Sequence, residues 1–107
     1  MRQEYNKLVR DRIPEIIRQA GKQCEVTTMS EAEFSQALRE KLIEEAQEAA
    51  TATPEKLLSE LADLQEVIDA VLALCGIERE AILTEQRRKR AQRGGFDQRI
   101  RLLWTDS

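Results

Sequence analysis

The chain of 107 residues has the length of a single domain, and we expect residues 1–107 to form one. Charged residues make up 35% and aromatic residues 4%, a composition more typical of a helix-rich soluble protein than of a sheet-rich one. The net charge is only −3, and the absence of histidine excludes a histidine-activated nucleophile and disfavours most zinc sites. No apolar run approaches the ~18 residues of a membrane span. Met1 leads directly into polar residues, so no signal peptide is expected. Cys24 and Cys75 have no partners at metal-ligand spacing. We therefore expect a cytoplasmic protein with free thiols and no membrane contact.

The first predicted helix is short and is followed by a predicted strand. Pro14 suits the first turn of a helix, and the neighbouring isoleucines give an amphipathic segment that ends near Gln19, before Gly21. Residues 24–29 alternate weakly in polarity and contain β-branched side chains, which indicates a short strand. We expect this strand to pair with the C-terminal tail, FDQRIRLLW, which contains apolar residues enough for one strand.

Three longer helices follow. Ser30 and Glu33 form the sequence pattern of a capping box, which predicts a second helix over about residues 31–50. A Thr-Pro-Glu sequence suits the cap and first turn of a third helix, residues 54–74. The fourth helix covers about residues 78–93 and ends at a double glycine. The predicted fold class is therefore all-α, an antiparallel helical bundle with one short two-stranded pairing.

Two acidic pairs occur at the same three-residue spacing, on either side of a short Thr-Ala-Thr-Pro connection: Glu45/Glu48 and Glu60/Asp63. At ~100° per residue, each pair lies along the edge of the apolar stripe of its helix, whereas a solvated acid would lie opposite the stripe. The short connection makes the two helices antiparallel neighbours, so the pairs differ in height by roughly 5 Å at ~1.5 Å rise per residue. Four carboxylates facing one groove predict a site for a hard divalent cation such as magnesium.

The charge is unevenly distributed along the chain. Residues 31–69 contain 3 Lys/Arg and 11 Asp/Glu, a net charge of −8, whereas residues 79–101 contain 8 Lys/Arg and 3 Asp/Glu, a net charge of +5. An acidic centre between basic ends is suited to binding a cation and a polyanion together. The alternative interpretation is that these are solvated helix faces, with the acids paired to Lys41 and Lys56.

Three sequence blocks resemble one protein family. EEAQE and ELAD, at residues 44–48 and 60–63, are similar to the EExxE…ExxD signature of the MazG-like, all-alpha nucleoside triphosphate pyrophosphatases. YNKLVRDRIPEII near the start and RKRAQRGGFDQRIRLL near the end look like the small single-domain branch often labelled phosphoribosyl-ATP pyrophosphohydrolase-like. Together the blocks extend over nearly the whole chain. The interval of 11 residues between Glu48 and Glu60 is short for this signature.

The resemblance implies a cofactor and a set of site residues. It implies Mg²⁺, or Mn²⁺ in its place, bound by four carboxylates: Glu45, Glu48, Glu60 and Asp63. It implies attack of a water on a phosphorus atom, which releases a nucleoside monophosphate and pyrophosphate. Cations from the two terminal blocks are expected to bind the substrate phosphates: Lys7, Arg10, Arg12, Lys89, Arg90 and Arg93. Family members are typically oligomers, so a dimer or tetramer is expected.

Two further residues have alternative roles. Glu44 is a catalytic candidate that orients the attacking water or holds a second magnesium, and the alternative is an exposed helix acid. Phe96 follows the double glycine and is a candidate for stacking on a base, and the alternative is an anchor for the tail.

Several functions remain open on the sequence. A nucleoside triphosphate pyrophosphohydrolase acting on non-standard nucleotides is favoured. Phosphoribosyl-ATP, an intermediate of histidine biosynthesis, is the alternative substrate. A non-enzymatic helical interaction module is an alternative of a different class. Nucleic-acid binding is not expected, because the basic tail contains one Phe and one Trp and no recognised nucleic-acid-binding module.

Overall fold

The computed structural model describes residues 2–106, and every regular element within them is a helix. The elements are α1 (Ile13–Gln19), α2 (Glu31–Ala50), α3 (Pro54–Leu74) and α4 (Arg79–Arg93). The all-helical prediction and the positions of the four helices are therefore confirmed. Within residues 2–106, each helix is too short or too polar to span a lipid bilayer.

The helix ends follow from local chemistry. The Ser30 hydroxyl accepts a hydrogen bond from the Glu33 backbone N–H at 3.2 Å, and the Glu33 carboxylate accepts one from the Ser30 backbone N–H at 2.9 Å, so the predicted capping box is present. Thr53 precedes α3 in extended backbone, and its side chain makes no capping bond. Pro54 begins α3, where a missing N–H costs nothing. Gly94 ends α4 at a φ of 81°, a conformation that glycine adopts without strain.

The core of the chain lies between α2 and α3, which are joined by a connection of three residues, 51–53. These two helices are the pair that packs extensively within the described residues. Leu38 from α2 is 3% exposed, and Val67 and Leu72 from α3 are each 8% exposed. The two helices thus form an antiparallel hairpin held by one narrow apolar seam.

The rest of the chain does not pack closely on this hairpin. The radius of gyration is 18.7 Å, well above the value of about 13 Å expected for a compact chain of this length. The molecule measures 59 × 34 × 27 Å. Large apolar side chains remain open to solvent on α2, α3 and the tail; Ile43 is 60% exposed and Leu58 is 82% exposed. A single chain therefore leaves much of its apolar surface uncovered.

The predicted strand pairing is wrong. Within residues 2–106 no strand forms: residues 22–30 are irregular, and residues 99–106 of the tail are also irregular. Ile100, Leu102 and Leu103 are 76–80% exposed and so have no apolar surface to pack against. An isolated two-stranded pairing is marginal in water, and the weak alternation of residues 24–29 offers it no buried face.

Replacing Leu38 with Ala is expected to lower the free energy of unfolding by about 2–5 kcal/mol, because it empties the centre of the α2–α3 seam. Urea unfolding followed by far-ultraviolet circular dichroism measures the loss. Val26→Ala, in the exposed connection before α2, is the control and is expected to change stability by less than about 0.5 kcal/mol. Equal losses in the two variants would contradict a core centred on Leu38.

Candidate metal centre

Three carboxylates from α2 and α3 meet in one groove. Glu45, Glu60 and Asp63 each present an oxygen, and the three oxygens lie within 4.8 Å of one another. All three residues are half-buried. Glu48, the fourth predicted ligand, is exposed and lies outside this trio. The structure thus brings together three of the four carboxylates that the two acidic pairs predicted.

The groove disfavours negative charge on Glu60. Its pKa is raised, first by partial burial of the carboxyl and then by the neighbouring charges of Glu48, Asp63 and Glu45, with Lys56 opposing them. Glu48 therefore lies close enough to act on Glu60 although it is not part of the trio. Repulsion of this kind is relieved either by a proton or by a bound cation.

The N-terminal basic block lies over the same groove. The Arg10 guanidinium donates a hydrogen bond to Oδ1 of Asp63 at 2.7 Å, and Lys7 Nζ donates one to Oε1 of Glu44 at 3.0 Å. Both ion pairs are about half exposed. Two of the predicted phosphate-binding side chains are thus next to the carboxylate trio, and Arg10 contacts a member of it. The sequence alone did not predict a contact between Arg10 and a carboxylate.

Glu44 lies beside the trio and is paired with two lysines. Lys41 Nζ is 3.4 Å from Oε1 of Glu44 and 3.7 Å from Oε1 of Glu45, in addition to the Lys7 contact. The pKa of Glu44 is lowered, chiefly by the hydrogen bond from Lys7. Of the two lysine pairings considered from the sequence, the one with Lys41 is present. Lys56 makes no ion pair within 4.0 Å among residues 2–106.

The other predicted phosphate-binding residues are not brought to the groove in one chain. Arg12 pairs with Glu15 on α1 at 2.8 Å. The remaining cations lie in the last turns of α4, which does not pack extensively on α2 or α3: Lys89, Arg90 and Arg93. Phe96 is 97% exposed, with neither a base nor the tail against it.

A shallow depression adjoins the acidic groove. It encloses about 500 Å³ between residues 6–8 and α2, and its wall includes Lys7, Glu44, Gln36 and Met29. The sequence did not indicate this depression, because it forms only where the N-terminal segment runs along α2.

The fold and the groove define a class: an all-helical protein with a carboxylate trio flanked by cations. Compared with protein-family models, curated proteins and solved structures, the chain gives no match. The likeness to the MazG-like family therefore depends on the sequence blocks described above.

Glu60→Gln is expected to raise the melting temperature of the metal-free protein at neutral pH. The raised pKa means that folded protein holds the Glu60 proton more tightly than unfolded protein, so stability falls as pH rises through the folded pKa. The variant loses this contribution. Thermal unfolding in a chelator across the acidic to neutral range measures the difference from wild type.

Glu66→Gln is the matched control, because Glu66 is an exposed acid on the same helix and outside the trio. Its pH profile is expected to follow that of the wild type. A Glu60→Gln protein that melts below wild type at neutral pH would contradict repulsion in the groove.

Proposed function

We propose that the chain is a magnesium-dependent nucleotide pyrophosphohydrolase. It hydrolyses a nucleoside triphosphate, or a related nucleotide, to the monophosphate and pyrophosphate. The observation that supports this most is that Glu45, Glu60 and Asp63, from two helices, meet in one groove beside a cationic segment. The EExxE…ExxD resemblance points to the same residues from the sequence.

The donor set fits magnesium. Glu45, Glu60 and Asp63 offer oxygens only, which is the chemistry that Mg²⁺ and Mn²⁺ prefer, and no thiolate or imidazole is present in the trio to favour zinc. Their half-buried position leaves solvent access for the waters that magnesium retains. When bound, the ion neutralises phosphate charge and lowers the pKa of a bound water.

The chain's own side chains bind and orient the substrate. Lys7 and Arg10 bind phosphate oxygens; the planar guanidinium of Arg10 suits two phosphate oxygens at once, and Lys7 acts as a point charge. Glu44 is ionised at neutral pH, as glutamates ordinarily are, and it accepts a hydrogen bond from a water beside the phosphates. The depression along α2 receives the nucleoside, with Gln36 as a hydrogen-bonding group in its wall.

We also propose that a second copy of the chain completes the site, in a dimer or tetramer. The cations of α4 do not reach the acidic groove of their own chain. Ile43 and Leu58 each precede a trio acid by two residues, about 200° around the helix, so they lie on the hairpin face opposite the acids. This face is apolar and open, which is typical of a surface that a partner covers. We propose that the α2–α3 hairpin of a second copy packs on this face and removes it from water.

A helical interaction module is the second candidate, and one observation favours it. Arg10 and Lys41 already neutralise members of the trio without any metal. If these pairs are the permanent state, the acidic and basic regions are complementary surfaces and no cation is needed. The two candidates differ in whether the trio binds magnesium and whether turnover depends on it.

A panel of nucleotides with magnesium, including phosphoribosyl-ATP, is expected to give pyrophosphate rather than phosphate as the released product. Glu45→Gln is expected to lower turnover by at least about 10²-fold, because it removes a charged ligand without changing side-chain size. Glu66→Gln is the control on the same groove-forming hairpin and is expected to keep turnover. Full activity of Glu45→Gln, or of the wild type in excess chelator, would exclude the proposed metal site.

Light scattering after size-exclusion chromatography is expected to show a dimer or tetramer for the wild type. Leu58→Glu is expected to shift it toward monomer, because it places a charge on the apolar face at a position that is 82% exposed in one chain. Val26→Glu is the control, because it places the same charge at an exposed position away from the hairpin face. It is expected to leave the molar mass in solution unchanged. A monomeric wild type would contradict the proposed partner.

A further inference from the structure

The N-terminal segment and a bound cation require the same carboxylate. Arg10 contacts Oδ1 of Asp63 at 2.7 Å, and Asp63 is one of the three residues that would hold the ion. A cation coordinated by the trio would lie a few ångströms from the guanidinium, where two positive charges repel each other in a half-buried groove. The ion pair seen here and a loaded metal site are therefore in competition.

We propose that Arg10 is an internal counter-ion that the cation displaces from Asp63, and that the displaced guanidinium then binds the substrate phosphate. This inference rests on the proposed function, because it needs the trio to bind a divalent cation. It adds an order of events: the cation binds first, and its arrival makes Arg10 available to the anion.

The contacts of the N-terminal segment, residues 2–10, indicate that displacing Arg10 from Asp63 costs little free energy. The side chains of the Arg10–Asp63 pair are 58% and 41% exposed, so the pair is a surface ion pair, which contributes little to stability. The backbone before Arg10 is irregular, and among residues 2–106 the hydrogen bonds from residues 2–10 to α2 or α3 are the two from Lys7 and Arg10. Both of these hydrogen bonds are ion pairs, and Arg10 can leave Asp63 without any helix unfolding.

Lys7 is expected to behave differently from Arg10. Its partner, Glu44, lies outside the trio and has a second cation, Lys41, at 3.4 Å. Displacing Lys7 therefore frees no ligand of the metal. The segment has one residue that competes with the cation and one that does not.

If Arg10 is exchanged for the cation, the Arg10→Ala variant is expected to bind Mg²⁺ more tightly and pyrophosphate more weakly than the wild type. Binding of Mg²⁺ alone, measured by isothermal titration calorimetry at low ionic strength, is expected to tighten about two- to five-fold, the range that exposed ion pairs are worth. Binding of pyrophosphate in saturating Mg²⁺ is expected to weaken, because a phosphate-binding group is gone. Added salt is expected to shrink both differences.

Arg18→Ala is the matched control. Arg18 lies on α1 and makes no ion pair among residues 2–106, so its replacement removes the same charge without freeing a carboxylate. It is expected to change Mg²⁺ affinity by less than Arg10→Ala. Circular dichroism checks that both variants keep the helical content of the wild type.

The measurements distinguish failure of the Arg10 exchange from failure of the proposed metal site. If wild type binds Mg²⁺ and Arg10→Ala binds it no more tightly than Arg18→Ala, the exchange is wrong and the metal site stands. If Arg10→Ala binds Mg²⁺ more weakly, Arg10 supports the groove and the exchange is also wrong. If wild type does not bind Mg²⁺, the proposed function fails together with this inference.

Discussion

The packing of α2 against α3 is the interaction on which the other features depend. Leu38, Val67 and Leu72 form its seam, and the short connection of residues 51–53 aligns the helices antiparallel. The same packing that buries these side chains holds acids of both helices at the edge of the seam. Burial of apolar groups therefore supplies the free energy that keeps like charges together, at the cost seen in the raised pKa of Glu60.

Positive charge compensates for this arrangement at two levels. Lys41 lies on the same helix as Glu45 and remains near it in any state of the hairpin. Arg10 comes from a segment 53 residues away in sequence and reaches Asp63 only because the N-terminal segment crosses the groove. Lys41 is thus a fixed counter-charge, whereas Arg10, on an irregular segment, is the counter-charge that the proposed exchange replaces with a metal ion. This difference gives the two cations different roles in the proposed hydrolysis.

The shape of a single chain also bears on function. The radius of gyration is 18.7 Å, and apolar residues such as Leu58 and Phe96 are exposed, so the core is small for a chain of 107 residues. A small core limits stability, and a second copy would extend it. Because the basic α4 does not pack extensively on α2 or α3, the proposed assembly would both cover the apolar face and bring α4 cations to the substrate. Stability and catalysis would then depend on the same interface.

The sequence by itself determined the helices and their ends, because capping boxes, first-turn proline and terminal glycine act within a few residues, as at Ser30, Pro54 and Gly94. It also predicted that acids of two helices share a groove, since helical periodicity and a short connection suffice for Glu45, Glu60 and Asp63. The outward position of Glu48, the Arg10–Asp63 pair and the absence of a strand among residues 2–106 were decided by tertiary structure. The position of Glu48 depends on how the two helices are rotated against each other, and the Arg10–Asp63 pair depends on where the N-terminal segment runs. The strand is missing because neither residues 24–29 nor the tail finds an apolar surface to pack against.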